Sequence, residues 1–224
     1  MRQIPLALGP DPNPTFDTFL AGRNGAAVEH LQQLRAGDAP VLLWGESGSG
    51  KSHLLGAVAA RLQAAGRIVA WFGPGQARPW QLPGDAAVVL LDDVHALDAD
   101  EQAEAFRLFV EAVTQAVPVV AAGRCPPVDL PLRDDLRTRL GWGHVFELHA
   151  LGEPEARAVL RREADRRGLL LSDEVMSYLM TRHARDLKSL MALLLELDTF
   201  GLAAGRPVTL PLLRRLLAEQ ELPA

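Results

Sequence analysis

The sequence predicts an α/β fold, a mainly parallel sheet sandwiched by helices, with a small all-helical domain after it. Three observations predict this. Short, fully apolar runs at 41–44 and 86–91 are the kind found in strands buried on both faces. Helical stretches alternate with such runs up to about residue 150, as crossover connections between parallel strands require. From Leu151 onward only the helical period remains.

The elements follow in order. Residues 1–14 read as a flexible tail, because Pro5, Pro10, Pro12 and Pro14 exclude a helix. Within it, Gln3-Ile4-Pro5-Leu6-Ala7-Leu8 is an apolar extended segment. It suits either a peptide-in-groove role or a strand docked on its own domain. A helix is expected over 26–36 with Gly37 as its C-cap. Val41 to Trp44 is a strand. The helix after it presents Leu54, Leu55, Val58, Ala59 and Leu62 on one face and ends at Gly66. Ile68 to Phe72 is a second strand, and Gly73 to Gly84 a loop rich in proline and glycine. A helix over 99–116 is expected to turn Phe106, Phe109, Val110 and Val113 inward. Further strands are expected over 118–122 and 145–148. In the C-terminal part, Pro154 starts a helix that Gly168 ends. Ser172 caps a second, with Asp173 and Glu174 in its first turn. A third, from Arg185 or Asp186 to Phe200, carries Leu190, Leu194 and Leu197 on one face, and Thr209 caps a fourth. The expected domains are thus a tail at 1–14, an α/β domain at 15–150 and a helical domain at 151–224.

Between the strand ending at Trp44 and the next helix lies Gly45-Glu46-Ser47-Gly48-Ser49-Gly50-Lys51-Ser52, which fits G-x-x-x-x-G-K-[ST], the phosphate-binding P-loop. Glycines let backbone N–H groups curl around phosphate oxygens, and the helix N-terminus adds partial positive charge. Lys51 is a point charge for the β- and γ-phosphates, and the Ser52 hydroxyl is suited to ligate Mg²⁺. The chain has only two lysines against 21 arginines, yet lysine holds this position. The run Ala86 to Leu91 ends in Asp92-Asp93. A carboxylate at the end of a neighbouring strand is what Mg²⁺ beside a P-loop needs, so Asp92 takes that role, and Asp93 is placed to orient a water. ATP or ADP with Mg²⁺ is the expected ligand.

Bulk properties narrow the field. A formal charge of −5 gives no support for a chain that grips nucleic acid by itself. Cys125 is the single cysteine, which rules out an internal disulfide and suits a reducing compartment. No apolar run approaches 18 residues and Met1-Arg-Gln-Ile-Pro lacks a signal-peptide core, so a cytoplasmic protein without membrane contact is expected. The six histidines show no metal-binding spacing, and no G-x-S-x-G elbow is present.

The P-loop, the acidic pair and the helical C-terminal domain together resemble the AAA+ ATPases. Thr15-Phe16-Asp17-Thr18-Phe19 with Gly22 and Asn24 is similar to the segment that opens the ATPase domain of the initiator DnaA. Trp44-Gly45, Arg139-Leu140-Gly141-Trp142-Gly143 and Ala184-Arg185-Asp186-Leu187 resemble DnaA-like motifs too. The resemblance spans about 3–220, and within it the chain is most similar to the Hda family of regulatory inactivators of DnaA. It ends after the helical lid without a basic helix-turn-helix domain, and the loop over 73–85 is short. Gln3 to Leu8 is similar to the clamp-binding hexapeptide of that family, with Gln3 as polar anchor and Ile4, Leu6 and Leu8 as the apolar part.

The resemblance implies roles. Arg139 matches the arginine finger that acts in trans on a neighbouring subunit's nucleotide; a surface arginine paired to Asp134 or Asp135 is the plainer reading. Arg185 matches the sensor 2 arginine of the lid, against a solvated helix-start residue. The implied function is nucleotide-dependent negative regulation of replication initiation. The chain would bind the sliding clamp (the beta subunit of DNA polymerase III) and stimulate hydrolysis of ATP held by DnaA, meeting DNA only through the clamp. A homodimer is compatible with it. One departure stands out. The strand ending at Ala122 should deliver a polar sensor 1 side chain, but Ala121, Ala122, Gly123 and Arg124 occupy the place. That points to binding with weak hydrolysis of the chain's own nucleotide. Two other readings are an autonomous ATPase of helicase-loader type and a non-catalytic nucleotide-bound adaptor.

Overall fold

Strands β1 (Val41–Trp44), β2 (Ile68–Phe72), β3 (Ala86–Leu91), β4 (Val119–Gly123) and β5 (His144–Glu147) pair only in parallel, in the order β2-β3-β4-β1-β5. The computed structural model describes residues 14–183, 190, 191, 193–198, 210, 211 and 213. The chain divides into two compact units, one ending at Ala150 and the other beginning at Leu151.

Alternation along each strand divides the apolar residues between two cores. Val41 and Leu43 of β1, Val88 and Leu90 of β3, and Val120 and Ala122 of β4 pack with α1 (Gly25–Gln32) and α2 (Lys51–Ala64). Leu42, Val89, Leu91, Val119 and Ala121 face the other way, onto α3 (Ala99–Thr114) and α4 (Asp134–Gly141). Both faces being covered, the strands read as unbroken apolar runs rather than alternating ones. Burying each such leucine or valine contributes about 1.5–3 kcal/mol.

Two helices differ from expectation. The first ends at Gln32, not at residue 36, and Gly37 is no C-cap. Its positive φ (+82°) instead lets its N–H donate to the Ala116 carbonyl at 2.8 Å, tying this loop to the end of α3. On α3 the buried stripe is Ala105, Leu108, Phe109 and Ala112, while Phe106 is half-buried and Val110 and Val113 are exposed. That stripe packs in one core cluster with Val119 and Ala121 of β4 and Leu136 and Leu140 of α4. Asp98 caps α3 with a capping box, and the partner Glu101 also accepts from the Gly75 N–H at 2.6 Å. Glu101 thereby pins the 73–84 loop. Trp80, in that loop, is fully buried and stacked on Phe72 at 5.1 Å, with Arg107 donating to its carbonyl.

The C-terminal unit contains α5 (Glu153–Arg166), with Pro154 in its first turn, and α6 (Asp173–His183). The Ser172 hydroxyl accepts from the Val175 N–H at 3.3 Å, as an N-cap does. Ala156, Leu160, Ala164, Val175, Met176, Leu179 and Met180 form its core with Leu190, Leu193, Leu194, Leu197 and Leu213. The helix starts expected at Arg185 and Thr209 lie outside the described residues.

Candidate phosphate-binding site

The chain leaves β1 for α2 on one side and β4 for β5 on the other, so the strand order reverses around β1 and β4. A crevice at the carboxyl ends of strands is expected at such a point. The P-loop lies there. Gly45 and Gly50 have φ of +153° and +93°, conformations that L side chains rarely adopt. Both are also crowded. A Cβ on Gly45 would collide with the Leu148 carbonyl, and one on Gly50 would meet the Phe19 ring at 2.6 Å. The loop therefore needs glycine for space as well as for its torsions.

Lys51 opens α2 and is almost completely buried. Its ammonium donates to the Gly45 and Glu46 carbonyls at 2.8 and 2.7 Å and more weakly to Ser49 Oγ at 3.4 Å. Glu46 and Ser47 are exposed at the tip, and Ser49 is buried beneath it. The first amides of α2 have no intrahelical acceptor and stay available. Burial pushes the Lys51 ammonium below its ordinary pKa; Asp93 and Asp92 oppose that shift and Arg124 adds to it.

Asp92 continues the sheet, its N–H donating to Phe72 at 2.9 Å, and its side chain hydrogen-bonds Ser52. Burial pushes the Asp92 carboxyl above the usual carboxylate range, and the Asp93 carboxylate pushes the same way. The Ser52 hydroxyl, the Asp93 N–H and Lys51 oppose it. A hydroxyl and a half-buried, destabilised carboxylate side by side form a donor set suited to Mg²⁺, whose charge relieves that destabilisation. Asp93 sits in the left-handed region (φ 48°, ψ 41°), which Asp tolerates better than most residues. Its N–H donates to Asp92 Oδ1 at 2.9 Å, and its own carboxylate is half-exposed. The residues present fit a magnesium nucleotide: a glycine cradle, a buried ammonium, a hydroxyl and two carboxylates.

The sequence reading missed three supports. His53 Nε2 lies 3.0 Å from the Thr15 carbonyl and 3.2 Å from Thr18 Oγ1, fastening the 15–19 segment to the first turn of α2. The Phe19 ring thereby covers Gly50. Asn24 is buried and exchanges two hydrogen bonds with the His149 backbone, both 2.9 Å. That holds Leu148 in place, whose carbonyl backs Gly45. His95 Nδ1 is 3.9 Å from Asp93 Oδ1 and otherwise has no partner among the described residues. The first two are not visible as motifs, because each joins segments distant in sequence.

Arg139 is exposed on α4. Asp134 pairs with Arg137 at 2.6 Å and Asp135 with Arg133 at 2.8 Å, which removes the reading of Arg139 as their partner. Its guanidinium lies over Phe106 at 5.3 Å and Phe109 at 6.0 Å and forms no ion pair among the described residues. Arg185, Gln3, Ile4, Leu6 and Leu8 lie outside the described residues. Cys125 is half-buried, its Sγ directed at the Asp129 carbonyl at 3.3 Å, and burial raises its pKa. A cavity of about 460 Å³ lined by Arg67, Asp85 and Gln115 lies at the opposite end of the strands, far from these groups. No described helix is long and apolar enough to cross a membrane.

Residues 153–217 match the family model described as "Hda, lid domain". The chain is similar in structure to domain III of the replication initiation protein DnaA of Thermotoga maritima. That match has a TM-score of 0.77 at 21% identity and covers 95% of this chain and 99% of that one. AMPPCP-bound DnaA from Aquifex aeolicus matches with a TM-score of 0.68 at 20% identity, over 94% and 71%. The Thermotoga maritima RuvB Holliday junction branch migration motor matches at 0.64 and 17%, over 92% and 72%. At these identities the likenesses establish the fold, and the match to the Hda lid model concerns residues 153–217. The chain has the fold of DnaA domain III and of the RuvB motor, with a parallel α/β core, and its residues 153–217 match the Hda lid domain.

Proposed function

We propose that the chain is a nucleotide-dependent negative regulator of replication initiation, acting by presenting Arg139 to ATP bound by DnaA. One observation carries this reading: Arg139 stands exposed and without a carboxylate partner among the described residues, held over the Phe106 and Phe109 rings. A guanidinium so placed keeps its charge and its fork of donors for an outside phosphate. Supplied in trans, such a group accelerates phosphoryl transfer by roughly 10³ to 10⁵.

The chain's own P-loop holds adenine nucleotide in this reading. Gly45 to Gly50 supply the cradle, Lys51 the charge toward the phosphates, and Ser52 with Asp92 the ligands for Mg²⁺. Bound magnesium supplies charge neutralisation between phosphate oxygens. Asp93 is positioned to hold a water, while Ala122 and Gly123 at the end of β4 offer no polar group to align it. Weak turnover of the chain's own nucleotide follows. Arg185 reads the phosphates from the lid, and Gln3, Ile4, Leu6 and Leu8 dock on the sliding clamp. The protein acts in the cytoplasm and meets DNA through the clamp.

The test is hydrolysis of DnaA-bound ATP with and without DNA-loaded clamp. Stimulation that needs the clamp, persists with purified chain, and disappears in Arg139→Ala is the expected result. Deleting residues 1–8 should abolish clamp retention while nucleotide binding is kept. Full stimulation by Arg139→Ala overturns the finger assignment and favours a non-catalytic adaptor. ATP turnover without DnaA, lost in Lys51→Ala, favours an autonomous loader-type ATPase.

A further inference from the structure

We propose that His95 is a positioning residue for hydrolysis of this chain's own nucleotide: its Nδ1–H holds the Asp93 carboxylate where it orients the water that attacks the terminal phosphate of bound ATP. The inference rests on the phosphate-site reading above and deepens it.

The end of β3 places His95. Asp92 still donates its N–H to Phe72, and Asp93 then turns the chain through the left-handed region. A 3₁₀ turn over Val94–Ala96 follows, closed by the Ala96 N–H donating to the Asp93 carbonyl at 2.8 Å. Val94 is fully buried, and a Cβ on Gly123 would meet it at 3.3 Å, so the turn is seated on the end of β4. His95 is thereby kept beside Asp93. Its side chain is 16% exposed, and its Nδ1, out of contact with solvent, has no hydrogen-bond partner among the described residues. Asp93 Oδ1 stands 3.9 Å from that nitrogen.

A polar atom left unpaired at such depth costs about 1–3 kcal/mol, so the pairing is favoured as soon as it can form. Asp93 is 56% exposed and closes the gap by a small side-chain rotation. Hydrogen bonds between catalytic groups are commonly long in the free protein and tighten in the substrate complex. A ring nitrogen facing a carboxylate carries the proton, because a lone pair there would oppose another. Charge agrees with a neutral ring. Burial above all lowers the His95 pKa; Asp93 opposes that shift, Arg124 and Lys51 add to it, and Asp92 opposes it. His95 is thus within the field of Lys51, Asp92 and Asp93 alike, the groups that frame the phosphate crevice. A neutral imidazole gives Asp93 a donor without cancelling the negative charge that draws the water's hydrogen. Left to itself, a half-exposed carboxylate samples several rotamers, and the end of β4 offers no polar group to help it. In the step itself the water oxygen bonds to the γ-phosphorus as the bridging oxygen leaves on ADP with the electron pair. The water's proton departs on the released phosphate.

The test is single-turnover hydrolysis of ATP by the full chain with Mg²⁺, beside ATP and ADP affinities read by displacing a fluorescent adenine nucleotide. Asparagine carries its amide nitrogen near the place of Nδ1, and glutamine near that of Nε2. His95→Ala and His95→Gln should therefore lose roughly 10- to 100-fold in rate, while His95→Asn stays within about threefold of wild type. Both affinities should change less than about threefold in all three variants. In an Asp93→Ala chain, adding His95→Ala should lower the rate no further. An unchanged rate in His95→Ala, an equal loss in all three variants, or losses that add in the double variant overturn the proposal. Wild type that binds ATP without turning it over overturns this inference and leaves the phosphate-site reading standing. Wild type that binds neither nucleotide overturns both.

Discussion

Replacing Asn24 by alanine should unfold the α/β unit at markedly lower urea and loosen the P-loop with it. Asn24 is buried, and its amide both donates to the His149 carbonyl and accepts from the His149 N–H at 2.9 Å. Each bond contributes about 0.5–1.5 kcal/mol net, and a backbone group left without a partner where water cannot reach costs about 1–3 kcal/mol. His149 is only half-buried, so water replaces part of the loss. The sum is roughly 2–4 kcal/mol, which for a chain of this length lowers the melting midpoint by about 5–12 °C. All four tryptophans, Trp44, Trp71, Trp80 and Trp142, precede Ala150, so intrinsic fluorescence during urea titration reports on this unit and not on the lid. Leu148, the neighbour of His149, backs Gly45, so nucleotide affinity should fall several-fold in the same variant. Asn24→Asp keeps an acceptor for the His149 N–H but sets an oxygen against its carbonyl, and should be no better than alanine. A change under about 0.5 kcal/mol in Asn24→Ala would refute the argument, since surface substitutions without structural role do that much.

Lys51→Ala should weaken nucleotide binding on the order of 100-fold, read by calorimetry with Mg²⁺, because it removes the charge that faces the phosphates. Gly50→Ala forces a left-handed alanine, costing about 1–2 kcal/mol, against the Phe19 ring; both the urea midpoint and ADP affinity should drop. Glu163 accepts from Arg166 at 2.7 Å and Arg167 at 2.6 Å, and the Arg166 hydrogen bond in particular holds its carboxyl below the ordinary value of 4.5. A lowered carboxylate pKa stabilises the fold fully above that ordinary value and is lost as pH falls through the depressed one. Glu163→Gln should therefore destabilise the helical unit by about 1–3 kcal/mol at pH 7, measured by hydrogen exchange, with the gap to wild type closing below about pH 4.

The strands were legible because both faces of the sheet are covered. Val41–Trp44, Ala86–Leu91 and Val119–Gly123 are short apolar runs that needed no face assignment, whereas the edge strand His144–Glu147 is mostly exposed; the observed bounds lie within about a residue of expectation. The P-loop was legible for a different reason: its chemistry is local, with every group inside eight consecutive residues. What the sequence hid was anything settled by a partner. On α3, Val110 and Val113 are more apolar than Ala105 and Ala112, yet the alanines share the inward stripe with Leu108 and Phe109 while the valines stay exposed. Trp80 sits in a stretch that reads as a loop and is nonetheless core, since Phe72 supplies a ring to stack on. The Asn24–His149 pair spans 125 positions, and the Thr15–His53 contact 38. Spacing rules for helices and strands carry no signal at such separations.

Two arginines that look interchangeable in the sequence are separated by the fold. Arg124 directly follows β4, and its charge is felt by Lys51. Arg139 follows 15 positions later on α4 and lies over two rings of α3; it is not among the charges that act on Lys51 or Asp92. A cation–π contact at an exposed site is worth only about 0.5–1 kcal/mol, enough to hold the guanidinium in one orientation and too little to retain it against a phosphate. On the proposed reading, then, the P-loop and Lys51 grip this chain's own nucleotide, and the arginine on α4 is left for another protein's. Exchange of nucleotide at the first site and stimulation of hydrolysis at the second become separable. Arg139→Ala should abolish stimulation of DnaA-bound ATP hydrolysis while leaving nucleotide affinity at the P-loop unchanged, and a parallel loss of that affinity would refute the separation.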